Sequence, residues 1–311
     1  MSIVLKQVSY TYGQNTAQKT DALKNINFTI ENGEFVGIMG HTGCGKTTLI
    51  QMIAGLLSPS EGAVYIDGKD INSPDYERRI LRETVGVVFQ RPEYQLFETT
   101  VEKDVAFGLK YSGLGKAEKK KRVKDALALM GLVLEDIGKE SPLSLSGGEK
   151  RRVAIAGVLV TRPKILIFDE PIAGLDPDGR EQFLELAAQL NRSGVTILMI
   201  SHNADSLCEY ADRILVLQQG HLVLDGTPKA VFRDTSLTRK LGIGTSQSRE
   251  IARMLLERGF PLSGNITKYE ELLGELETVL KRGCLCGSVE NQSVEQLPHQ
   301  SPLGNGGTLC Q

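Results

Sequence analysis

Short apolar runs separated by polar turns recur through the first 235 residues of the chain. Four runs are apolar at nearly every position, which is typical of strands buried on both faces of a parallel sheet, and they span residues 35–39, 85–89, 164–168 and 196–200. Residues 3–10 and 26–30 mix apolar and polar positions, and Asn32-Gly33 is a favoured two-residue hairpin turn. The pattern therefore predicts an antiparallel β region up to residue 39, with a polar loop at 13–21 and a hairpin at Asn32-Gly33.

A stretch with helical periodicity interrupts the strands between residues 92 and about 150. Val101, Val105 and Leu109 recur at helical spacing, and Val123 and Leu127 begin a second such series. The Lys-rich run at 116–122 is more typical of a solvated helix face than of a nucleic-acid site. We predict a helical subdomain inserted between two parts of one core.

The last quarter of the chain has a different pattern. A hairpin is predicted at 213–223 with its turn at Gln219-Gly220, and the core, which begins at residue 1, should end near residue 235. Residues 236–282 predict two amphipathic helices, which are too short to form a core alone and should pack on the main domain or on a partner. Residues 283–311 are rich in Gly, Ser, Gln and Asn and are predicted to be disordered.

Composition excludes some classes of protein. The chain has 311 residues with 36 basic and 38 acidic side chains, a balance that does not support extended nucleic-acid binding. It has no apolar run of about 18 residues, as a membrane span needs, and its N-terminus lacks the plan of a signal peptide. Five scattered cysteines favour a reducing cytoplasm over a disulfide framework.

Residues 40–47, here called the phosphate loop, carry the strongest motif. Their sequence Gly-His-Thr-Gly-Cys-Gly-Lys-Thr matches the pattern G-x-x-x-x-G-K-[ST], and it lies between a predicted strand and a predicted helix. Glycines let successive backbone N–H groups point into one concavity, and the helix N-terminus adds positive potential. Lys46 can then reach the β- and γ-phosphates, and the Thr47 hydroxyl can bind Mg²⁺. The alternative is an ordinary glycine turn, which the complete motif in this context makes the weaker interpretation.

Polar side chains follow three of the buried strands. Gln90 follows the second run, Asp169-Glu170 the third, and His202 comes just after the fourth. Ligands of open parallel sheets gather beyond the carboxyl ends of strands, so these side chains are candidates for metal, water and phosphate contacts. Each alone has a structural alternative, since a strand end can carry a solvated residue and a lone His is usually structural.

Two further features are ambiguous when taken alone. Ser146 and Glu149 form a capping box around Gly147-Gly148, which predicts either a well-capped helix or an anion site at a helix N-terminus. Tyr12 can stack on a nucleotide base or cover the sheet, and by itself packing is the better interpretation.

The order of these motifs resembles the ATP-binding cassette family over roughly residues 1–235. The resemblance implies an α/β P-loop NTPase with a RecA-like core, an antiparallel β subdomain, a helical subdomain and, here, a small C-terminal appendage. It also implies ATP and Mg²⁺, and a head-to-tail dimer in which ATP lies between the phosphate loop of one subunit and the Ser146 motif of the other.

Site residues follow from this resemblance. Glu170 is expected to act as general base, with His202 at the γ-phosphate and Gln90 at Mg²⁺ and the attacking water, while Thr47, Gln90 and Asp169 are the expected metal ligands. The residues expected to bind the nucleotide or to communicate across the dimer are Tyr12, Gly40, His41, Thr42, Gly43, Cys44, Gly45, Lys46, Thr47, Thr48, Ser146, Gly147, Gly148, Glu149 and Asp176. Cys44 stands where Ser is frequent.

A narrower resemblance concerns residues 89–97, with the sequence Phe-Gln-Arg-Pro-Glu-Tyr-Gln-Leu-Phe, and residues 104–108. Both are similar to the ATPase subunits of energy-coupling factor transporters, and the appendage fits their dimerisation region. This implies a peripheral subunit on the cytoplasmic face of the cell membrane that takes part in importing vitamins or transition-metal ions such as cobalt or nickel. Its expected partners are a second ATPase subunit, identical or different, a transmembrane coupling protein and a substrate-binding membrane protein.

The alternative is a soluble cassette ATPase of DNA repair or translation. Repair members usually carry a long coiled-coil insertion and translation members two cassettes, whereas this chain has one cassette and no heptad run between Lys46 and Ser146. A binding module without catalysis is disfavoured because both Glu170 and His202 are present.

Overall fold

The computed structural model describes residues 2–14 and 19–285. The strands in this part are β1 Ile3–Tyr12, β2 Thr20–Ile30, β3 Phe35–Met39, β4 Glu61–Ile66, β5 Lys69–Asp70, β6 Val85–Val88, β7 Ile165–Asp169, β8 Thr196–Ile200, β9 Arg213–Gln218 and β10 His221–Gly226. The helices are α1 Lys46–Ile53, α2 Arg78–Thr84, α3 Val101–Ala106, α4 Lys116–Leu129, α5 Leu134–Ile137, α6 Gly147–Leu159, α7 Pro177–Arg192, α8 Ala204–Tyr210, α9 Pro228–Val231, α10 Thr235–Lys240, α11 Gln247–Glu257 and α12 Tyr269–Leu285. Short 3₁₀ helices span Pro92–Gln95, Phe107–Leu109 and Pro142–Ser144.

A six-stranded sheet in the order β10-β9-β3-β8-β7-β6 forms the centre of the molecule. The pairs from β9 to β6 are parallel, and β10 returns antiparallel to β9 through the turn at Gln219-Gly220. Every residue of β3, β7 and β8 is buried, which explains why these strands are apolar without alternation. The four predicted buried strands and the second hairpin are confirmed.

A smaller antiparallel sheet has the order β2-β1-β4-β5. The predicted hairpin at Asn32-Gly33 is wrong, because β3 pairs with β8 and β9 and not with β2. Gly33 does turn the chain, with φ +76°, but its N–H donates to Thr196 Oγ1 and the turn leads from one sheet into the other. The polar loop is shorter than predicted, since β2 begins at Thr20, and residues 15–18 of that loop lie outside the described residues.

Helices α3 to α6 pack together around a core of their own. Val101, Val105, Val123, Leu127 and Val153 are each at most 1% exposed and belong to one apolar cluster. Helix α6 reaches from this cluster back to the central sheet, where Ile155 and Leu159 join the core beside β7. Helix α6 thus belongs to the helical insert and also packs on the central sheet.

Four short elements were not predicted from the pattern: β5, α2, α8 and α9. They have two to seven residues, which is too few for a hydrophobic period to be recognised. Helix α8 matters for the site because it starts two residues after His202, with Asn203 as its N-cap.

The C-terminal appendage contains three helices, α10 to α12, where two were predicted. Ala252, Leu262, Ile266 and Leu272 form a small core inside it. Helix α12 ends at Leu285, three residues beyond the predicted end of the appendage, and the rest of the predicted disordered tail, residues 286–311, lies outside the described residues.

Polar contacts fix the appendage to the main domain. Lys268 Nζ donates to Glu209 O over 2.9 Å, and the Gln247 N–H donates to Asp205 Oδ1 over 2.7 Å, so both contacts end on α8. Lys229 and Glu271 add an ion pair of 2.6 Å. Of the two predicted alternatives, packing on the main domain or on a partner, these contacts show the first. Among the described helices, none is both long and apolar enough to cross a bilayer.

Cys208 on α8 offers a test of this docking. The side chain is 1% exposed beside Ser246 of the appendage, and burial raises the pKa of its thiol to about 12. Since only the thiolate reacts with alkylating agents, we expect iodoacetamide at pH 8 to label Cys208 at least about 100-fold more slowly than free glutathione. Peptide mass spectrometry measures the rate. Labelling of Cys208 at the glutathione rate in folded protein would contradict the docked arrangement.

Candidate functional site

The phosphate loop connects β3 to α1, and close packing requires glycine at two of its positions, Gly40 and Gly45. A side chain at Gly40 (φ +146°) would place a Cβ 2.3 Å from Leu217 O, and one at Gly45 (φ +108°) would place it 2.5 Å from Ala22 O. The chain therefore needs glycine there both for conformation and for space. Cys44 is buried below the loop, and burial raises the pKa of its thiol, so it serves as a small packing residue.

Lys46 is the first residue of α1, and its ammonium lies over the loop. Nζ donates to Gly40 O over 2.7 Å and to His41 O over 3.1 Å, and the side chain is 8% exposed. A cation held among backbone amides at a helix N-terminus gives the loop a positive potential suited to a polyanion.

Thr47 and Asp169 bring together oxygen atoms from two elements. Thr47 Oγ1 donates to Asp169 Oδ2 over 3.4 Å, and Asp169 is buried at the end of β7. Burial raises the pKa of the Asp169 carboxyl, while the Thr47 hydrogen bond and the Lys46 charge oppose that change. A hydroxyl and a buried carboxylate, with the Gln90 amide on the same cleft wall, are a donor set that fits Mg²⁺.

Glu170 and His202 face each other across the ends of β7 and β8. His202 Nε2 lies 3.2 Å from Glu170 Oε1, which is within ion-pair distance although Oε1 makes no well-oriented hydrogen bond. Desolvation raises the pKa of Glu170 and lowers the pKa of His202. Both pKa shifts favour the neutral form of the side chain. The Glu170 carboxylate therefore has a raised proton affinity, and the His202 imidazole beside it is uncharged. Glu170 also has φ +51°, an uncommon conformation for a non-glycine residue, and its N–H donates to Ile200 O over 3.1 Å.

These residues line one cleft with a volume of about 540 Å³. Its lining consists of Tyr12, Thr20, Asp21, Ala22, Thr42, Gly43, Gly45, Lys46, Thr47, Thr48, Gln90, Asp169, Glu170, Ala173, Ile200 and His202. Tyr12 is 42% exposed at the rim, and its hydroxyl lies 3.1 Å from Thr48 Oγ1. Most of the residues that were predicted to contact one bound nucleotide therefore line the same cleft.

The sequence did not indicate residues 20–22 as part of the cleft. They lie there because β1 and β2 pair antiparallel with Tyr12 opposite Thr20. Recognising that pairing would have identified them, but the polar residues before Thr20 carry no apolar period.

The Ser146 motif is not part of this cleft lining. The Ser146 N–H donates to Glu149 Oε2 over 2.9 Å and the Glu149 N–H to Ser146 Oγ over 3.3 Å, so the predicted capping box is present. Gly147 and Gly148 have open space at their Cβ positions, and this helix end is exposed. Asp176 caps α7 instead, accepting from the Gly179 N–H over 2.9 Å.

Comparison with known proteins decides the family. The ABC transporter family model matches residues 23–173. The energy-coupling factor transporter ATP-binding protein EcfA2 of Caldanaerobacter subterraneus subsp. tengcongensis is 46% identical over 272 residues, which cover 87% of this chain and 95% of that protein. The chain belongs to the energy-coupling factor transporter ATP-binding proteins of the ABC transporter family. EcfA2 of Clostridium tetani, another such ATP-binding protein, is 44% identical over 277 residues, which are 89% of this chain and 96% of that one.

Solved structures agree with this family. CbiO1 of Clostridium perfringens, described as part of the ABC transporter complex cbiONQ, has 39% identity and a TM-score of 0.66 over 81% of this chain and 98% of that chain. The ATP-binding cassette MJ0796, in a dimeric structure with ADP and Pi, has 34% identity and a TM-score of 0.66 over 73% and 98%.

The predicted resemblance and the α/β P-loop fold are therefore confirmed. As an ABC transporter ATP-binding protein, the chain is an ATP-hydrolysing enzyme. The alternative of a soluble ATPase of DNA repair or translation is not favoured, because the similar proteins are energy-coupling factor transporter subunits.

Proposed function

We propose that this chain is the subunit that hydrolyses ATP to drive an energy-coupling factor importer. The observation that carries the proposal is the cleft, where Lys46, the Thr47–Asp169 pair and the Glu170–His202 pair meet in a chain 46% identical to such a subunit over 87% of its length. The fold supplies each of these groups from the end of a buried strand or from the helix after it.

Nucleotide binding follows from the positions of the groups. The phosphates lie in the loop, where backbone N–H groups and Lys46 compensate their charge, and the adenine stacks on Tyr12 at the rim. Thr47 and Gln90 would hold Mg²⁺, with Asp169 holding it through water, and the metal would neutralise charge on the β- and γ-phosphates when bound.

Hydrolysis is assigned to Glu170 and His202. Water attacks the γ-phosphorus, its proton passes to the Glu170 carboxylate, and the bond to the β–γ bridging oxygen breaks to give ADP and phosphate. The raised pKa of Glu170 gives the carboxylate the proton affinity of a general base. His202, kept neutral by its lowered pKa, donates a hydrogen bond to the γ-phosphate and places no cation beside Glu170.

A second subunit completes the site. Ser146, Gly147 and Gly148 lie outside the cleft of their own chain. They form an exposed helix N-terminus where no side chain blocks access to the backbone of the two glycines. We infer that this motif binds the γ-phosphate of ATP in a partner cassette, head to tail, with Asp176 contacting the opposite site. The motion that closes and opens this dimer is the output of hydrolysis.

Membrane partners contact the surface beside Gln90. Four aromatic residues there are exposed, and two of them, Phe97 and Phe107, stack edge to face at 4.9 Å, the others being Tyr94 and Tyr111. Exposed aromatic clusters of this kind are typical of protein interfaces. We propose that coupling helices of a transmembrane protein bind this surface, which places the chain on the cytoplasmic face of the membrane. A separate membrane protein then binds the imported vitamin or transition-metal ion.

Purification of the tagged chain from its native membranes in mild detergent tests this proposal. We expect a second cassette ATPase and small integral membrane proteins to co-purify, as measured by mass spectrometry. A Lys46→Ala chain should recover the same membrane proteins, because the change affects the cleft and not the aromatic surface. Recovery of the wild-type chain only from the soluble fraction, with ribosomes or DNA-processing proteins, would overturn the transporter assignment.

A further inference from the structure

Arg151 joins the Ser146 helix to the turn that follows Glu170. It lies on the second turn of α6, and its guanidinium donates from Nη1 to Ala173 O over 3.0 Å and from Nη2 to Pro171 O. These carbonyls belong to the residues directly after the proposed base. A planar guanidinium holds two acceptors from two nitrogens in a fixed orientation, whereas an ammonium donates from a single, freely rotating nitrogen.

The turn held by Arg151 begins at Glu170. Glu170 itself has φ +51°, and the Ala173 N–H donates back to Glu170 O over 3.2 Å. A non-glycine residue in this region persists only when its surroundings hold it there. Ile172, between the two carbonyls, is 5% exposed and anchors the turn to the core on its other side.

A third element approaches the same guanidinium. Glu93 belongs to the short helix Pro92–Gln95, which follows Gln90 and packs against α6. Glu93 Oε2 and Arg151 Nε are both buried, and neither makes a hydrogen bond. Burial lowers the pKa of Arg151 and the negative charge of Glu93 raises it, so the two groups interact electrostatically without a direct bond.

The energetic cost of this arrangement points to a role beyond stability. Burying a guanidinium that leaves one N–H without a partner costs free energy, so Arg151 is not explained by packing alone.

We propose that Arg151 is a positioning residue: it couples the orientation of the Glu170 carboxylate to the position of helix α6, which Ser146 caps, and of the short helix that follows Gln90. When α6 moves, the hydrogen bonds of Arg151 move the Pro171 and Ala173 carbonyls, and with them the turn that orients the Glu170 side chain. The base thus reaches its working position when the helical subdomain does. This inference rests on the proposed role of Glu170 in ATP hydrolysis.

The test compares Arg151→Met with Arg162→Met in the full-length protein, assembled with the cassette subunit that co-purifies with it. Arg162 follows the same helix and pairs with Asp125 at the surface, so its change removes the same charge away from the turn. We expect Arg151→Met to lower kcat for ATP at least about tenfold, with KM for ATP within about twofold and a lower Tm, because Glu93 is left buried without its opposite charge. Arg162→Met should leave kcat and KM unchanged.

Arg151→Lys provides the second variant, and it keeps the test decisive if the Met variant does not fold. Its kcat should also fall, because an ammonium donates from a single nitrogen and lacks the planar fork that fixes the two carbonyls relative to each other. A kcat within about twofold of wild type in the foldable variants, or a loss of ATP binding together with kcat, would overturn the inference. Glu170→Gln measured in parallel separates the two proposals: if it hydrolyses normally the assignment of the base fails, and if it is inactive while Arg151→Met is normal only the positioning role fails.

Discussion

Glu170→Gln is expected to lower the ATP hydrolysis rate by about 10²–10⁴-fold while ATP binding is retained. Glutamine has nearly the same volume and can keep the contact with His202, but it cannot accept the proton of the attacking water. The side chains that are proposed to bind the nucleotide, Lys46 and Thr47 among them, are untouched. Steady-state hydrolysis and the affinity for a fluorescent ATP analogue measure the two effects separately.

The same variant should be more stable than the wild type without nucleotide. A carboxyl whose pKa is raised in the folded state stabilises the protein at low pH, and this contribution is lost as the pH rises through the folded pKa. At neutral pH the ionised Glu170 therefore costs stability, and Gln removes that cost, so Tm should increase. Glu181→Gln, an exposed change on α7 outside the cleft lining, should alter neither rate nor Tm. Normal hydrolysis by Glu170→Gln would exclude Glu170 as the base.

Ser146→Arg is expected to leave ATP binding to the isolated chain unchanged and to block hydrolysis of the ATP bound by the partner in the two-subunit assembly. Ser146 lies outside its own cleft, so the added guanidinium does not reach the nucleotide there, but in the proposed head-to-tail arrangement it occupies the space of the partner's ATP. Loss of the cap should cost about 0.5–2 kcal/mol of stability.

Ser141→Arg is the matched control for the stability that Ser146→Arg loses with its helix cap. Ser141 caps the neighbouring 3₁₀ helix by accepting from the Leu143 N–H over 3.3 Å, and the side chain is exposed. It should lose a similar amount of stability and keep its activity. If Ser146→Arg instead prevents ATP binding by the isolated chain, the motif serves its own cleft and the head-to-tail arrangement is wrong.

The sequence predicted the parts of the site that depend on local pattern. The phosphate loop, the strand ends and the capping box each consist of neighbouring residues with a geometry of their own, so Lys46 could be proposed from local pattern alone, and Asp169 and Ser146 with the help of the family resemblance. The central strands were predictable for a related reason, since strands buried on both faces must be apolar throughout.

Features that depend on contacts between distant segments were not predictable. The Asn32-Gly33 turn has a hairpin sequence, yet the choice of partner for β3 is made by β8 and β9, more than 150 residues away. The Arg151 contacts to Pro171 and Ala173 likewise have no local pattern, because a basic residue on a helix predicts solvent exposure.

The measurement that tests the central claim most directly is the rate at which bound ATP leaves the Glu170→Gln assembly after dilution into unlabelled ATP and Mg²⁺. If ATP closes a head-to-tail dimer around itself, one rigid interface covers both nucleotides. ATP should then leave this assembly at least about tenfold more slowly than it leaves an assembly whose chain carries both Glu170→Gln and Ser146→Arg. Equal release rates in the two assemblies would contradict a shared, closed site and leave only an open nucleotide cleft on each chain.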